Sequence, residues 1–529
     1  MSIKNDILRV LRNPSLAICV LKGFRDRKYV ERSEWFDPVW YREGSYGEDL
    51  SGLDPALHYS ITGFNPVAEP SPDFIPAEYV SLHPDAKGCN PLVHYEKIGK
   101  RKGYPISYLQ RETGGEPRRV SLEEHQRALK ANVRKIGERV KSGQRIRAVF
   151  LVYSSSMFST RALFEEMARD ARFDPKIAVV PDFRWGKDTA EKERVRCKEE
   201  LSKTYSSRYF LPVEPTADGN WPDVLSETDL AIFATPYSLS DFRYNPHWSV
   251  GRSFLPVLVN YSYPLGKFTD WVMKRQNMGY FWKILWENED ILEEYRQNSL
   301  LHGANGVCAG CMKLDSLASL SSSPRTRKRV LICPHHAIYK SGPFAASNFL
   351  RFSDFFALLP TRYPDVDFVF RPHPHLFRRL SDPSVWGKRK TREYRERLLS
   401  HPNLAWSEGG NYLSEFVESD AIVQDCGSFL AEYFFVGKPC CYMIREDSAD
   451  LFSLFGKECL SHCYQAREEK DIVDFLEKVV IGGEDPMRAD REAFRNRVMV
   501  NYPHAARSAL DGILDEIGSS VSHPEEKRT

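Results

Sequence analysis

The sequence predicts an α/β chain: two doubly wound domains preceded by a small, mainly helical repeat module. Three observations lead there. From Ile146 onward, short apolar runs alternate with amphipathic stretches, the pattern of parallel strands covered by helices on both faces. Residues 35–105 repeat internally. Between Asp367 and Pro439 two apolar strands each run into a loop whose residue types suit an anion.

Composition bounds the rest. A chain of 529 residues holds two or three domains. A net charge of +2 carries no whole-protein signal for nucleic acid. Eleven cysteines lie without framework spacing and no signal peptide is visible, the usage of a reducing cytoplasm. No apolar run approaches the roughly 18–20 residues of a spanning helix. The expected place is the cytoplasm, with the inner face of the plasma membrane as a peripheral site.

Residues 1–34 read as a basic amphipathic segment. Within 1–32, Lys4, Arg9, Arg12, Lys22, Arg25, Arg27, Lys28 and Arg32 face only Asp6, Asp26 and Glu31, with Ile7, Leu8 and Leu11 at helical spacing. Such a helix suits an anionic membrane surface; packing on the protein with a solvated basic face is the alternative. In the repeat, Phe36-Asp-Pro-Val-Trp-Tyr41 is matched by Phe74-Ile-Pro-Ala-Glu-Tyr79. Asp54-Pro-Ala-Leu-His-Tyr59 with Gly63 is matched by Asn90-Pro-Leu-Val-His-Tyr95 with Gly99. Each unit reads as an aromatic-anchored helical pair, proline at helix starts and glycine at a helix end. The recurring His58 and His94 read as structural partners of a tyrosine, and the module as a docking piece. Residues 106–145 form a linker helix.

The first doubly wound domain spans 146–320, with strands expected at 148–152, 176–180, 208–211, 230–233, 257–259 and 283–286. Cys308 and Cys311 form a lone C-x-x-C, weak for zinc without a second pair. The second domain spans 328–500, and residues 501–529 form a C-terminal helix and tail, the helix expected to cross back to the first domain.

The second domain carries the candidate site. A strand over 366–370 ends in Arg371, His373 and His375; another over 421–423 ends in the small-residue turn Cys426-Gly427-Ser428, with a helix from Phe429 to Phe435. Free backbone N–H groups and the dipole at such a helix start favour an anion, and open α/β sheets bind ligands at this edge. Arg371 and His373 are assigned to the anion, Gly427, Ser428 and Phe429 to its phosphate, and Glu432, one turn after Ser428, to a ribose hydroxyl. A capped arginine and a packed loop histidine are the structural alternative. No acidic metal motif is evident, so neither metal nor cofactor is expected.

Residues from about 146 to 515 resemble the CDP-glycerol glycerophosphotransferase family, the polymerases and primases of teichoic acids and related capsule polymers. Four places carry this: Gly310-Cys-Met-Lys-Leu-Asp315, Arg371-Pro-His-Pro374, Asp420 with Asp425-Cys-Gly-Ser428, and Gly437-Lys-Pro439. The repeat module is similar to segments attached to bacterial polysaccharide glycosyltransferases. The resemblance implies the GT-B arrangement of two Rossmann-like domains, the first for the acceptor and the second for a nucleotide-activated donor. It also implies that Lys313 and Asp425 belong to the donor site. It further implies transfer of a polyol phosphate or sugar onto a polysaccharide or lipid-linked polymer, without nucleic acid. The family's His-Gly-Thr histidine is missing: the equivalent strand end reads Val259-Asn-Tyr-Ser-Tyr263. His336 is the chosen base, as a neutral imidazole near pH 7 suits proton abstraction, with His335 and Asp241 as alternatives. A binding or assembly protein without catalysis is the rival reading.

Overall fold

The computed structural model describes residues 14–43, 54–63, 69–71, 73–114, 120–183, 186–217, 220–237, 239–338, 346–409, 412–445 and 449–519. The first thirteen residues of the basic segment and the tail after 519 lie outside that set.

Two six-stranded sheets, parallel throughout, carry the chain. In the first, β1 (Ile146–Val152), β2 (Phe173–Val179), β3 (Leu230–Phe233), β4 (Leu255–Val259), β5 (Lys283–Trp286) and β6 (Gly306–Cys308) lie in the order β2-β1-β3-β4-β5-β6. In the second, β7 (Lys328–Cys333), β8 (Val366–Phe370), β9 (Leu404–Trp406), β10 (Ala421–Gln424), β11 (Cys440–Met443) and β12 (Tyr464–Ala466) lie in the order β12-β11-β10-β7-β8-β9. These are two Rossmann-like domains, the GT-B arrangement. The central strands β3, β4 and β10 are buried on both faces, as helix-covered parallel strands require.

The strand expected at 208–211 is absent. Ser207–Tyr209 forms a single 3₁₀ turn, after which Phe210 makes an isolated bridge to Ile177 and Leu211 N–H donates to Ile177 O at 2.9 Å. The helix after β10 begins earlier than expected, at Gly427, and tightens to 3₁₀ over Tyr433–Val436 before Gly437 ends it in the left-handed region.

The domains share one core: Tyr263 and Leu265 of the first pack with Phe452 and Phe455 of the second. Ser453 N–H donates to Leu265 O at 2.8 Å and Lys267 N–H to Leu451 O at 2.7 Å. Helix Ala505–Ser519 crosses back and buries Ala506, Leu510 and Ile513 in the core of the first sheet. Asp315 fixes its start, accepting from Ala505 N–H at 3.1 Å and Ala506 N–H at 2.8 Å. Gly310 makes room for the crossing: its φ is +91°, and a Cβ there would lie 2.2 Å from Val500 O.

In the repeat module the two histidines do the same thing twice. Tyr41 Oη meets His58 Nδ1 at 2.9 Å, and Tyr79 Oη meets His94 Nδ1 at 3.0 Å. Asp54 and Asn90 cap the matching helices. Both histidines are thus held by tyrosines inside their own unit.

Candidate functional site

The strand order of the second sheet reverses between β7 and β10. The chain leaves β7 toward β8 and β9 on one side and returns through β10, β11 and β12 on the other. Loops from the carboxyl ends of these two neighbours therefore diverge, leaving the crevice in which open α/β sheets hold ligands. His335 and His336 follow β7, His373 follows the adjacent β8, and Gly427 and Ser428 follow β10.

The structure gathers the imidazoles. Ring centroids of His335 and His336 lie 4.3 Å apart, of His336 and His373 4.0 Å, and of His335 and His373 5.0 Å; His375 stands 5.3 Å from His373. Asp425, fully buried at the end of β10, holds the loop in place. It accepts from His335 N–H at 2.5 Å, Asn348 N–H at 2.6 Å and Ser347 Oγ at 2.9 Å. Burial outweighs these bonds and pushes its carboxyl up to about 6. Asp425 is a strut beneath the imidazoles, not the donor contact the resemblance implied.

The histidines are unusually hard to protonate. Burial lowers His335 to about 4 and His336 to about 2, and lowers His373 as well; Arg379 and the neighbouring rings add to the effect. This corrects the sequence reading of His336: alone in the cluster it is a poor proton acceptor at pH 7. The sign for stability follows. Folded-state values lie below the unfolded value near 6.5, so the unfolded chain takes up protons that the native rings refuse. Stability is therefore lost as pH falls through 6.5 toward 4. Replacing His336 by Asn should spare about 2 kcal/mol of that loss between pH 6.5 and 4.5, read from urea unfolding at each pH.

Candidate nitrogens of His335, His336 and His373 all lie within 4.8 Å of one another, close enough to admit a metal ion. The hydrogen bonds point elsewhere. His335 Nδ1 accepts from Ala337 N–H at 3.3 Å and His373 Nδ1 from His375 N–H at 3.1 Å. Both neutral rings then keep their proton on Nε2 and are donors, whereas metal-bound histidines donate through the other nitrogen. Arg379, whose Nη1 donates to His336 O at 3.2 Å, adds positive charge. Two N–H donors beside a guanidinium suit an oxyanion better than a dication. The Nδ1 of His336 is buried with no hydrogen-bond partner among the described residues.

The other expected residues form a second, separate group. Arg371 does not reach toward an anion: its guanidinium donates to Glu415 Oε1 at 2.7 Å, Ser407 Oγ at 2.6 Å and Gly409 O at 2.5 Å. Glu432 does not wait for a ribose. It is wholly buried and accepts from Lys313 Nζ at 2.9 Å and Tyr412 Oη at 2.5 Å, so the Lys313 pair spans the two domains. The Phe429 ring packs on Tyr412 and Phe416, which leaves only its backbone at the helix start. Gly427 and Ser428 are half-buried there. Two residues escaped the sequence reading. Arg379 sits four residues beyond His375 on a short helix with no local signal. Glu287, buried at the end of β5 beside Lys313 and Glu432, is pushed up to about 8 by burial.

No family model matches the chain, and no curated protein matches it. Among solved structures, UDP-GlcNAc 2-epimerase from Neisseria meningitidis bound to UDP-GlcNAc is similar at 13% identity and TM-score 0.47, over 70% of this chain and 100% of that one. The S. aureus MnaA–UDP structure is similar at 11% identity and TM-score 0.45, over 73% and 100%. The wall teichoic acid polymerase TagF with CDPG is similar at 12% identity and TM-score 0.48, over 74% and 95%.

Proposed function

We propose that the chain is a transferase that binds a nucleotide-activated donor in the crevice between β7 and β10. It moves a polyol-phosphate or sugar unit, with a CDP-glycerol-like donor as the first candidate, onto a cell-surface polysaccharide or teichoic-acid-like acceptor. One observation carries this reading: His335, His336 and His373, with Arg379, converge at the strand-order reversal of the donor-side sheet. The resemblance of Arg371-Pro-His-Pro374 and Asp425-Cys-Gly-Ser428 to the glycerophosphotransferase motifs supports it from the sequence side.

In the proposed reaction an acceptor hydroxyl attacks the distal phosphorus, or the anomeric carbon of a sugar donor, and a nucleotide leaves. Negative charge collects on the leaving phosphate. The N–H groups of His335 and His373 and the Arg379 guanidinium are preorganised for it in a desolvated place, where such donors act most strongly.

Calorimetric titration with CMP, CDP and UDP tests the reading. A diphosphate is expected to bind more tightly than the monophosphate, with an affinity that does not change with chelator. His373→Ala should weaken it about tenfold or more, the loss of a charged hydrogen bond. Absence of binding at millimolar nucleotide would sink the donor assignment. That result would favour the second reading, a binding or assembly protein without catalysis, which the internal engagement of Arg371 and Glu432 supports.

A further inference from the structure

Helix Pro14–Glu31 is fastened to the repeat module by one face and exposes the other. Gly23 lies so close to the next helix that a Cβ would stand 2.3 Å from Ile61 Cγ1, and Ser60 Oγ donates to Gly23 O at 2.9 Å. Val30 is fully buried on the same side. Arg27 pairs with Glu31 and Asp54, each at 2.7 Å, and Lys97 reaches Asp26 at 2.5 Å. The helix orientation is thereby set. On the outer side Leu21 is 70% exposed and Phe24 59%, three residues apart and so neighbours on one face. Lys28 follows one turn after Phe24, and Lys22, Arg25 and Arg32 are exposed around them. Lys22, Lys28 and Arg32 make no ion pair among the described residues.

From Leu21 onward its apolar residues divide between an inward face, with Val30, and an outward one, with Leu21 and Phe24; the helical spacing read at Ile7, Leu8 and Leu11 lies outside the described residues. Single exposed leucines are ordinary; a Leu-Phe pair on a fastened helix, ringed by cations, is a surface with a preference. Lysine is depleted at the centres of protein–protein interfaces, and this face presents lysines among its apolar residues. Long basic side chains around a shallow apolar pair fit a bilayer surface, where the rings and aliphatic groups enter the interface and the cations meet lipid phosphates. The chain ahead of the helix continues the same composition, with Lys4, Arg9 and Arg12 among Ile3, Ile7, Leu8 and Leu11.

We propose that the outer face of this helix, through Leu21 and Phe24 with Lys22, Arg25, Lys28 and Arg32, docks the protein on an anionic lipid bilayer. The proposal is independent of the donor crevice. Co-sedimentation of the full chain with vesicles of phosphatidylcholine alone, or mixed with phosphatidylserine, tests it. Wild type is expected to sediment with the mixed vesicles and to be released by salt. Leu21→Glu/Phe24→Glu should weaken binding at least about tenfold. Lys22→Ala/Lys28→Ala should weaken it about fivefold per cation and flatten the salt dependence. Leu358→Glu, at a similarly exposed leucine of the second domain (54%), should bind as wild type does. Equal binding by the Leu21/Phe24 variant, equal binding to both vesicle types, or a wild type that stays in the supernatant with both would each overturn the proposal. The last is the result expected if a protein covers this face.

Discussion

Replacing Lys313 by Met is expected to destabilise the folded chain by about 3–5 kcal/mol, the cost of leaving a buried carboxylate without its counter-ion. Glu432 is wholly buried, and Lys313 Nζ at 2.9 Å is its cationic partner, itself held by Tyr261 O at 3.2 Å. Tyr412 Oη supplies one further hydrogen bond, which cannot replace a charge. The nearby Glu287 offers no relief: its carboxyl holds its proton to about pH 8 and approaches Glu432 as a potential like charge. The double variant Lys313→Met/Glu432→Leu should recover most of the loss, because a buried pair replaced by apolar groups of similar volume is often neutral or stabilising. Urea unfolding followed by tryptophan fluorescence measures both, and the first transition is the one to compare, since two domains need not unfold together. A single variant as stable as wild type would mean that the pair is a site waiting for a ligand and not a link between domains.

Asp425→Ala is expected to cost about 2–4 kcal/mol and to abolish the nucleotide binding proposed above, through the loop that Asp425 holds. Its carboxylate accepts from His335 N–H, Asn348 N–H and Ser347 Oγ; removing it leaves the two N–H groups without their acceptor, while Ser347 Oγ keeps His335 O at 3.0 Å. The segment after β7 then loses its tether and His335 and His336 separate from His373. Asp425→Asn keeps the shape and one acceptor, so it should lose about 1–3 kcal/mol and retain part of the affinity. Paired unfolding and calorimetric titrations separate the readings. Were Asp425 a direct donor contact, both variants would lose affinity while unfolding as wild type does.

The Arg371 result shows why some of the site was legible and some was not. Strand β8 could be placed to the residue from Val366-Asp-Phe-Val-Phe370, an apolar run ending in polar residues and prolines. The destination of the guanidinium could not. Its partner Glu415 lies 44 residues on, on a helix whose position depends on where β9 and β10 enter the sheet. His335 shows the converse. In sequence it was one of several alternatives, yet the pairing of β7 with β8 sets it against His373. Strands β6, β9, β11 and β12 were not foreseen: at three or four residues they show no periodicity, and they lack the aliphatic runs that marked the equally short β3 and β10.

By itself the sequence determined the α/β class, the repeat with its tyrosine–histidine pairs, the helices at 122–141, 349–362 and 505–519, and the two strand ends of the second sheet that carry His373 and Ser428. These follow from local rules: the period of apolar residues, proline and glycine at element ends, and side chains within a turn of one another. Only the tertiary structure decided which charges meet. It sent Arg371 to Glu415, joined Lys313 to Glu432 across 119 residues of chain and assembled the imidazoles beside Arg379. A charge withdrawn from water must find a partner nearby in space, and the order of strands in the finished sheets sets which partner that is.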